Sequence, residues 1–221
     1  SDVIRPNAAN TFEYFRNQDV NIKVISGDDP TTVSTIAQQA GIQDAANSVD
    51  MTTVKDEDDF GEIAANNTVF GRVTPDQKKR LIAGLQSKKH TVAMTGDGVN
   101  DLLALRQADC GIAMASGSES TKSIADFVLI NSNFDAMIDV LKEGRRVINN
   151  IERVASMYLI KTMYSVALSF IFVFFATGYP FEPIQLTPIT SLMVGIPSFF
   201  LALEPNFNKI TNQFMKQVLI I

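Results

Sequence analysis

Met94-Thr95-Gly96-Asp97-Gly98-Val99-Asn100-Asp101 is the stretch around which the rest of the chain is arranged. Ahead of it, Thr91-Val92-Ala93-Met94 is a short apolar run with the character of a buried parallel strand. Behind it, Leu102-Leu103-Ala104-Leu105 has the character of the first turns of a helix. Asp97 and Asp101 therefore stand where a strand ends and a helix begins, which is where open α/β sheets bind their ligands. Gly96 and Gly98 let the backbone turn sharply there. Carboxylates crowded at one strand end repel each other unless a cation lies between them. Mg²⁺ suits the place, because it prefers oxygen ligands and usually keeps waters and a phosphate. A dinucleotide-binding turn starts in a similar way. Here the third glycine of that fingerprint is missing, and Asp97 would set a negative charge against a pyrophosphate.

The same grammar occurs once more upstream. Asn21-Ile22-Lys23-Val24-Ile25 is a candidate strand, Ser26-Gly27-Asp28 a polar turn, and Asp29-Pro30 the start of a helix that stops at Gly41. Two such turns in one sheet can face a common site. Val69-Phe70-Gly71-Arg72-Val73 is a further strand, and Thr74-Pro75-Asp76 opens a helix carrying Lys78, Lys79 and Arg80. A basic run of that kind is most simply a solvated face, but one lysine at a helix start can reach a phosphate. Ala108 to Met114 and Phe127 to Ile130 give two more short strands, with a loop of small residues, Ser116 to Ser120, between them. The acidic run Asp56 to Asp59 is expected to start a helix. The first part is thus an alternating β/α domain, for which a parallel sheet is the expectation.

The 221 residues carry 24 acidic and 19 basic side chains, net −5, and no basic cluster, which argues against nucleic acid as a partner. The single cysteine, Cys110, excludes an intramolecular disulfide framework and fits a reducing compartment. The chain starts at Ser1 and has the look of a piece of a longer protein.

Beyond Gly144 the composition changes. Met157 to Phe175 is nearly all apolar, interrupted mainly by Lys161, and Leu186 to Leu203 is apolar without a charge. Each approaches the length that spans a bilayer, about 20 residues. A helical pattern from Phe134 runs without proline to about Ala176, so one long helix is expected to enter the membrane. Residues 178–183 form the connecting turn. Pro188, Gly195 and Pro197 interrupt the second span, as membrane helices tolerate where freed carbonyls find partners or line a cavity. Lys142, Arg145, Arg146 and Arg153 precede the first span, Lys209 and Lys216 follow the second, and the turn between holds only Glu182. This asymmetry puts the soluble domain on the cytoplasmic side.

Together these motifs resemble P-type ATPases over essentially the whole chain. Thr95 to Asp101 is identical to the family's hinge motif. Ser26-Gly27-Asp28 is similar to its Thr-Gly-Asp motif, with Ser for Thr. Arg72 to Lys78 resembles the segment bearing its catalytic lysine, and Asp2 to Arg5 its Asp-Pro-Pro-Arg motif with the prolines replaced. The resemblance implies a haloacid-dehalogenase-like α/β fold, a parallel sheet flanked by helices, followed by an α-helical transmembrane hairpin. It divides the chain into 1–144, part of the phosphorylation domain; 145–204, the long helix and hairpin; and 205–221, a cytoplasmic segment. It implies an ATP-driven cation pump with an aspartyl-phosphate intermediate, using Mg²⁺ and ATP. Asp97 and Asp101 would serve the metal with support from Asn100, Lys78 would pair with phosphoryl oxygens, and Ser26, Gly27 and Asp28 would bind the phosphate. The Asp-Lys-Thr-Gly motif occurs nowhere in this sequence, so the phosphorylated aspartate belongs to the missing remainder of the polypeptide. The expected setting is the plasma membrane. A P-type ATPase moving a lipid and a soluble phosphatase of the same superfold are the alternatives.

Tyr158, Thr162, Ser165 and Ser169 make one polar stripe on the first span. Lys161 borders it; an intramembrane lysine is a functional candidate, although this one is near enough to the cytoplasmic end to snorkel. Matching the spans to calcium pumps sets Met163, Val166 and Val194 where those carry amide or carboxylate ligands. The expected ion path therefore uses neutral oxygens and Lys161: Lys161, Thr162, Ser165, Thr190 and Ser191. Calcium is slightly ahead of other cations.

Overall fold

The computed structural model describes residues 7–130, 133–175 and 182–210. The Asp2–Arg5 motif, most of the turn at 178–183 and Lys216 lie outside the described residues. The chain forms two compact units, Ser1–Ile138 and Asp139–Ile221.

In the first unit, helix α1 (Ala8–Asn17) precedes an alternating series: β1 (Val24–Ile25), α2 (Pro30–Gln39), β2 (Ser48–Asp50), α3 (Phe60–Asn66), β3 (Val69–Gly71), α4 (Pro75–Ser87), β4 (Ala93–Gly96), α5 (Leu102–Gln107), β5 (Cys110–Met114), α6 (Glu119–Ile124) and β6 (Phe127–Leu129). Several helix starts have a local cause. Asp29 caps α2 by accepting from the Thr31 N–H, with Pro30 in the first turn. Asp59 caps α3 through the Gly61 and Glu62 N–H groups, so of the acidic run only Asp59 starts the helix. Thr74 and Gln77 form a reciprocal capping box on α4 with Pro75 behind it.

All strand pairs are parallel. They form two three-stranded sheets, β1-β3-β2 and β4-β5-β6, which corrects the expectation that the turns at Ser26 and Gly96 share one sheet. The physical reason lies at the edges. Among the described residues, β1 pairs only with β3 and β4 only with β5, so each sheet ends on a strand with an open side. The central strands are packed: Val69, Phe70 and Gly71 are buried, as are Gly111, Ile112 and Ala113. Neither residue of β1 is buried, and in β4 only Gly96 is. The main core gathers Met51, Phe60, Ala64, Phe70, Val73 and Leu81. Side chains of the size of Phe70 or Leu81, each 1% exposed, contribute about 1.5–3 kcal/mol on burial.

The second unit is built from α7 (Ala136–Phe174), an unbroken helix of 39 residues whose first turn belongs to the first unit. It continues in α8 (Pro183–Thr190), one π-helical turn at Ser191–Gly195, and α9 (Ile196–Leu203). Both Ala136–Phe174 and Ile184–Leu203 are long and apolar enough to cross a membrane. The chain after α9 is fastened to α7 by two adjacent amides. Asn150 donates to the carbonyls of Ala202 at 3.2 Å and Glu204 at 2.9 Å, and Asn149 to those of Asn206 at 3.2 Å and Asn208 at 3.0 Å. Arg153 pairs with the Glu204 carboxylate beside them. These bonds satisfy carbonyls that a helix end leaves open.

Candidate functional site

The turn after β4 is built by its own sequence. Gly96 is buried, and a Cβ there would lie 2.6 Å from the Asp101 Cβ and 2.8 Å from its Oδ2. Only glycine lets the strand end pass that close. Val99–Asp101 is a single 3₁₀ turn that leads directly into α5. Asp101 is 7% exposed, and both its oxygens are engaged. Oδ1 accepts from Lys78 Nζ at 2.7 Å, and Oδ2 accepts from the Gly98 N–H at 3.3 Å. Lys78 reaches it from the first turns of α4, so the structure brings these two predicted residues together. The ammonium and carboxylate are each buried to nearly nine-tenths. Leaving either one unpaired there costs about 3–5 kcal/mol.

Asp97 is treated differently. It is exposed, and among the described residues its carboxylate accepts no protein hydrogen bond, while its backbone carbonyl accepts from the Ser118 N–H at 3.0 Å. Asn100 is exposed on the 3₁₀ turn. Thus one carboxylate of the pair balances the lysine and the other is left available. No group of three or more His, Cys, Asp or Glu side chains that could hold a metal occurs among the described residues. A donor set of one or two carboxylates completed by waters and substrate phosphates is what Mg²⁺ commonly takes.

The turn after β1 has its own closure. Ser26 Oγ donates to Asp28 Oδ2 at 3.0 Å and accepts from the Asp28 N–H at 3.1 Å. Gly27 and Asp28 are exposed. Arg72, at the end of β3, holds this region in place. Its N–H donates to the Asp28 carbonyl at 2.8 Å, and its guanidinium pairs with Asp29 at 2.7 Å and Asp50 at 3.0 Å. Arg72 has φ +54°, a left-handed conformation that costs a non-glycine residue about 1–3 kcal/mol and persists only when its surroundings fix it. The Thr52 hydroxyl and N–H, and then Arg72, hold the Asp50 carboxyl below its ordinary range. Burial pushes Asp29 up, but the Thr31 and Thr32 N–H groups, the Thr31 hydroxyl and Arg72 outweigh it and leave it lowered. Burial pushes the Cys110 thiol up, with the charge of Asp126 adding to it, so this cysteine is not an activated nucleophile.

The loop after β5 also enters this site, which its small residues did not reveal. Ser118 and Thr121 bond the backbone of Asp97 and Gly98. A serine three residues before a threonine signals only a local helix cap; its reach to residue 98 is a tertiary fact.

In the apolar helices the candidate hydroxyls are spent locally. Thr162 donates to the Tyr158 carbonyl at 2.9 Å, Thr190 to the Leu186 carbonyl at 2.8 Å, and Ser169 to the Ser165 carbonyl at 2.9 Å. Lys161 and Ser165 are half-buried and Ser191 exposed. The π-helical turn begins at Ser191, next to Thr190, and ends one residue before α9, in which Pro197 offers no N–H. Turns of that kind often mark functional sites in helices.

A family described as haloacid dehalogenase-like hydrolase matches residues 1–109. A "probable cation-transporting ATPase exp7" of Streptococcus pneumoniae is 45% identical over 99% of this chain and 29% of its own length. A "calcium-transporting ATPase CtpE" of Mycolicibacterium smegmatis is 41% identical over 98% of this chain and 28% of its own. The chain thus spans less than a third of the length of these curated relatives. Among solved structures, a zinc-transporting PIB-type ATPase in an E2·Pi state shares the fold over 92% of this chain, with TM-score 0.68 and 20% identity. The catalytic domain of the CPx-ATPase CopB-B, studied for its changes on nucleotide binding, matches 63% of the chain with TM-score 0.50 and 28% identity.

Proposed function

Because this chain belongs to the cation-transporting P-type ATPases, we propose that it forms, within a longer polypeptide, half of a phosphoryl-transfer site and the membrane hairpin coupled to it. The observation that carries this reading is the buried Lys78–Asp101 pair beside an exposed Asp97. Phosphoryl transfer asks mainly for positioning and charge neutralisation. An ammonium has three N–H donors. Asp101 takes one and fixes the side chain, so Lys78 has others for phosphoryl oxygens. Asp97, with Asn100 nearby, would hold Mg²⁺, and Asp101 would act on the site through Lys78. The metal, when bound, supplies positive charge against the phosphoryl oxygens. Ser26 and Gly27 would receive the phosphoryl group from the other turn, with Asp28 orienting the Ser26 hydroxyl.

The phosphorylated aspartate comes from outside this chain. The open sides of β1 and β4 support that view, since among the described residues each pairs with a neighbour on one side only. A strand pairing with both would join the halves into one sheet and set the two turns at one site. Alone, the segment does not turn over ATP.

The transported species is a cation, with calcium ahead; the names of several relatives support this. Lipid transport is the competing reading. Thr190, Ser191 and the carbonyls near Pro197 are the favoured part of the ion path, because the helix changes its hydrogen-bonding there. The basic residues flanking both spans support a cytoplasmic side for the first unit, and the plasma membrane is the proposed setting. In the full-length protein, Asp97→Asn is expected to lower phosphoenzyme formation and its Mg²⁺ dependence together. Wild-type phosphorylation at ordinary Mg²⁺ would overturn the assignment.

A further inference from the structure

We propose that Thr121 and Ser118 are positioning residues for Asp97, acting through the backbone of the turn that carries it. The proposal deepens the reading of Asp97 as the Mg²⁺ ligand and rests on it.

Thr121 is fully buried at 0% exposure, although threonine is ordinarily a surface residue. Its hydroxyl lies 3.3 Å from the Gly98 carbonyl and 2.5 Å from Ser118 Oγ. Ser118 Oγ accepts from the Thr121 N–H at 3.2 Å. The protons admit one consistent arrangement. Ser118 Oγ takes the Thr121 amide proton and donates its own to Thr121 Oγ1, which donates to the Gly98 carbonyl. Every hydroxyl is then used once as a donor, and the last proton lands on the catalytic turn. The Ser118 N–H meanwhile donates to the Asp97 carbonyl at 3.0 Å. Two successive peptide units, on either side of the Gly98 Cα, are therefore held by one loop.

That loop is pressed against the turn. A Cβ at Gly117 would lie 2.6 Å from the Asp97 carbonyl oxygen and 3.0 Å from its Cα. The Gly98 carbonyl also accepts from the Asp101 N–H at 3.0 Å. The same oxygen thus ties Thr121 to the residue that balances Lys78. Asp97 itself has no protein partner for its carboxylate among the described residues, so its backbone must set its direction. Groups that orient a metal ligand from behind typically change affinity or activity by about 10- to 100-fold when removed.

The test uses the full-length protein with Thr121→Val, Thr121→Ser and Ser118→Ala, and two readouts. One is the Mg²⁺ concentration that half-saturates phosphoenzyme formation. The other is hydrogen exchange of the peptide spanning residues 96–101, without nucleotide. Thr121→Val keeps the shape and removes the hydroxyl. It is expected to raise the half-saturating Mg²⁺ about tenfold and to speed exchange at Asp101. Thr121→Ser should restore both to within about twofold, and Ser118→Ala should fall between. Unchanged exchange in a folded Thr121→Val protein would overturn the clamp. Equal Mg²⁺ shifts in Thr121→Val and Thr121→Ser would overturn it too, by showing that the effect does not follow the hydroxyl. If Thr121→Val does not fold, Ser118→Ala decides by the same two readouts. Asp97→Asn separates the two levels. If it retains wild-type Mg²⁺ dependence, the reading of Asp97 fails. If it loses that dependence while exchange quickens in Thr121→Val at constant Mg²⁺ affinity, only the positioning role fails.

Discussion

The turns after β1 and β4 have the same grammar, a strand running into a glycine-containing polar turn and then a helix, and the molecule holds them in opposite ways. At Ser26-Gly27-Asp28 the polar side chains face each other, Gly27 has nothing within 4 Å of a would-be Cβ, and support comes from the surface ion pairs of Arg72. At Gly96 to Asp101 the support is buried. Asp101 is closed over Lys78, and the Asp97 and Gly98 carbonyls are bonded by the neighbouring loop. The first turn can accommodate an added group with little resistance. The second cannot move one peptide without disturbing a buried charge pair. Rigidity is thus concentrated at the turn proposed to meet a metal ion, and the more open turn is the one proposed to receive a phosphoryl group.

The largest expected effect comes from removing one member of the buried pair. Asp101→Ala leaves Lys78 charged in a site that is 13% exposed, and should destabilise the first unit by about 3–5 kcal/mol. The double variant Asp101→Ala with Lys78→Met should recover part of that stability and none of the phosphorylation. Thermal unfolding and phosphoenzyme assays on the full-length protein measure the two separately. Single and double variants of equal stability would show that the pair is not what makes the second turn stiff.

Next in size is the glycine contrast. Gly96→Ala drives a Cβ into Asp101 and should cost about 1–3 kcal/mol as overpacking. Because it displaces the partner of Lys78, phosphoenzyme formation should drop by about 10²-fold. Gly27→Ala meets no atom and requires no left-handed backbone, so its stability change should stay within about 0.5 kcal/mol. Equal losses in the two variants would break the distinction between the turns.

The contrast also marks how far residue patterns carry. The strand–turn–helix units, the helix start at Thr74, the two apolar helices and the carboxylates Asp97 and Asp101 are visible in spacing and residue type, because their causes are local or periodic, whereas Lys78 is singled out from its basic run by the family resemblance alone. The split into two sheets is not visible, because it depends on which strand edges pair, and among the described residues β1 and β4 do not pair. Strand β2, Ser48–Asp50, has no apolar run to announce it and is fixed by pairing with β3. Arg72 in a left-handed conformation and Thr121 beneath Gly98 are set by contacts 22 or more residues away in sequence, at Asp50, Asp29 and Gly98. Asp101 is the instructive case. Its type suggested a metal ligand; its buried pairing with Lys78 is a tertiary contact that the residue pattern did not announce.

The smallest expected effect tests the surface support of the first turn, and it depends on pH. Hydrogen bonds from Thr52 and the charge of Arg72 lower the Asp50 pKa in the folded protein. A depressed carboxyl pKa contributes stability that is fully present above the unfolded value, about 3.9, and is lost as pH falls from there through the folded value. Asp50→Asn should therefore make the amides of residues 26–29 and 72 exchange slightly faster at pH 7. That difference from wild type should shrink as pH falls below the ordinary carboxylate range and through the lowered folded value, where the wild-type carboxyl is protonated as well. Because Arg72 and Asp29 are both substantially exposed, added salt should shrink the difference at pH 7. The same substitution should leave exchange at Asp101 unchanged, since the second turn does not depend on Arg72. A difference that persists once the wild-type carboxyl is protonated, or that spreads to Asp101, would mean that the two turns share one support.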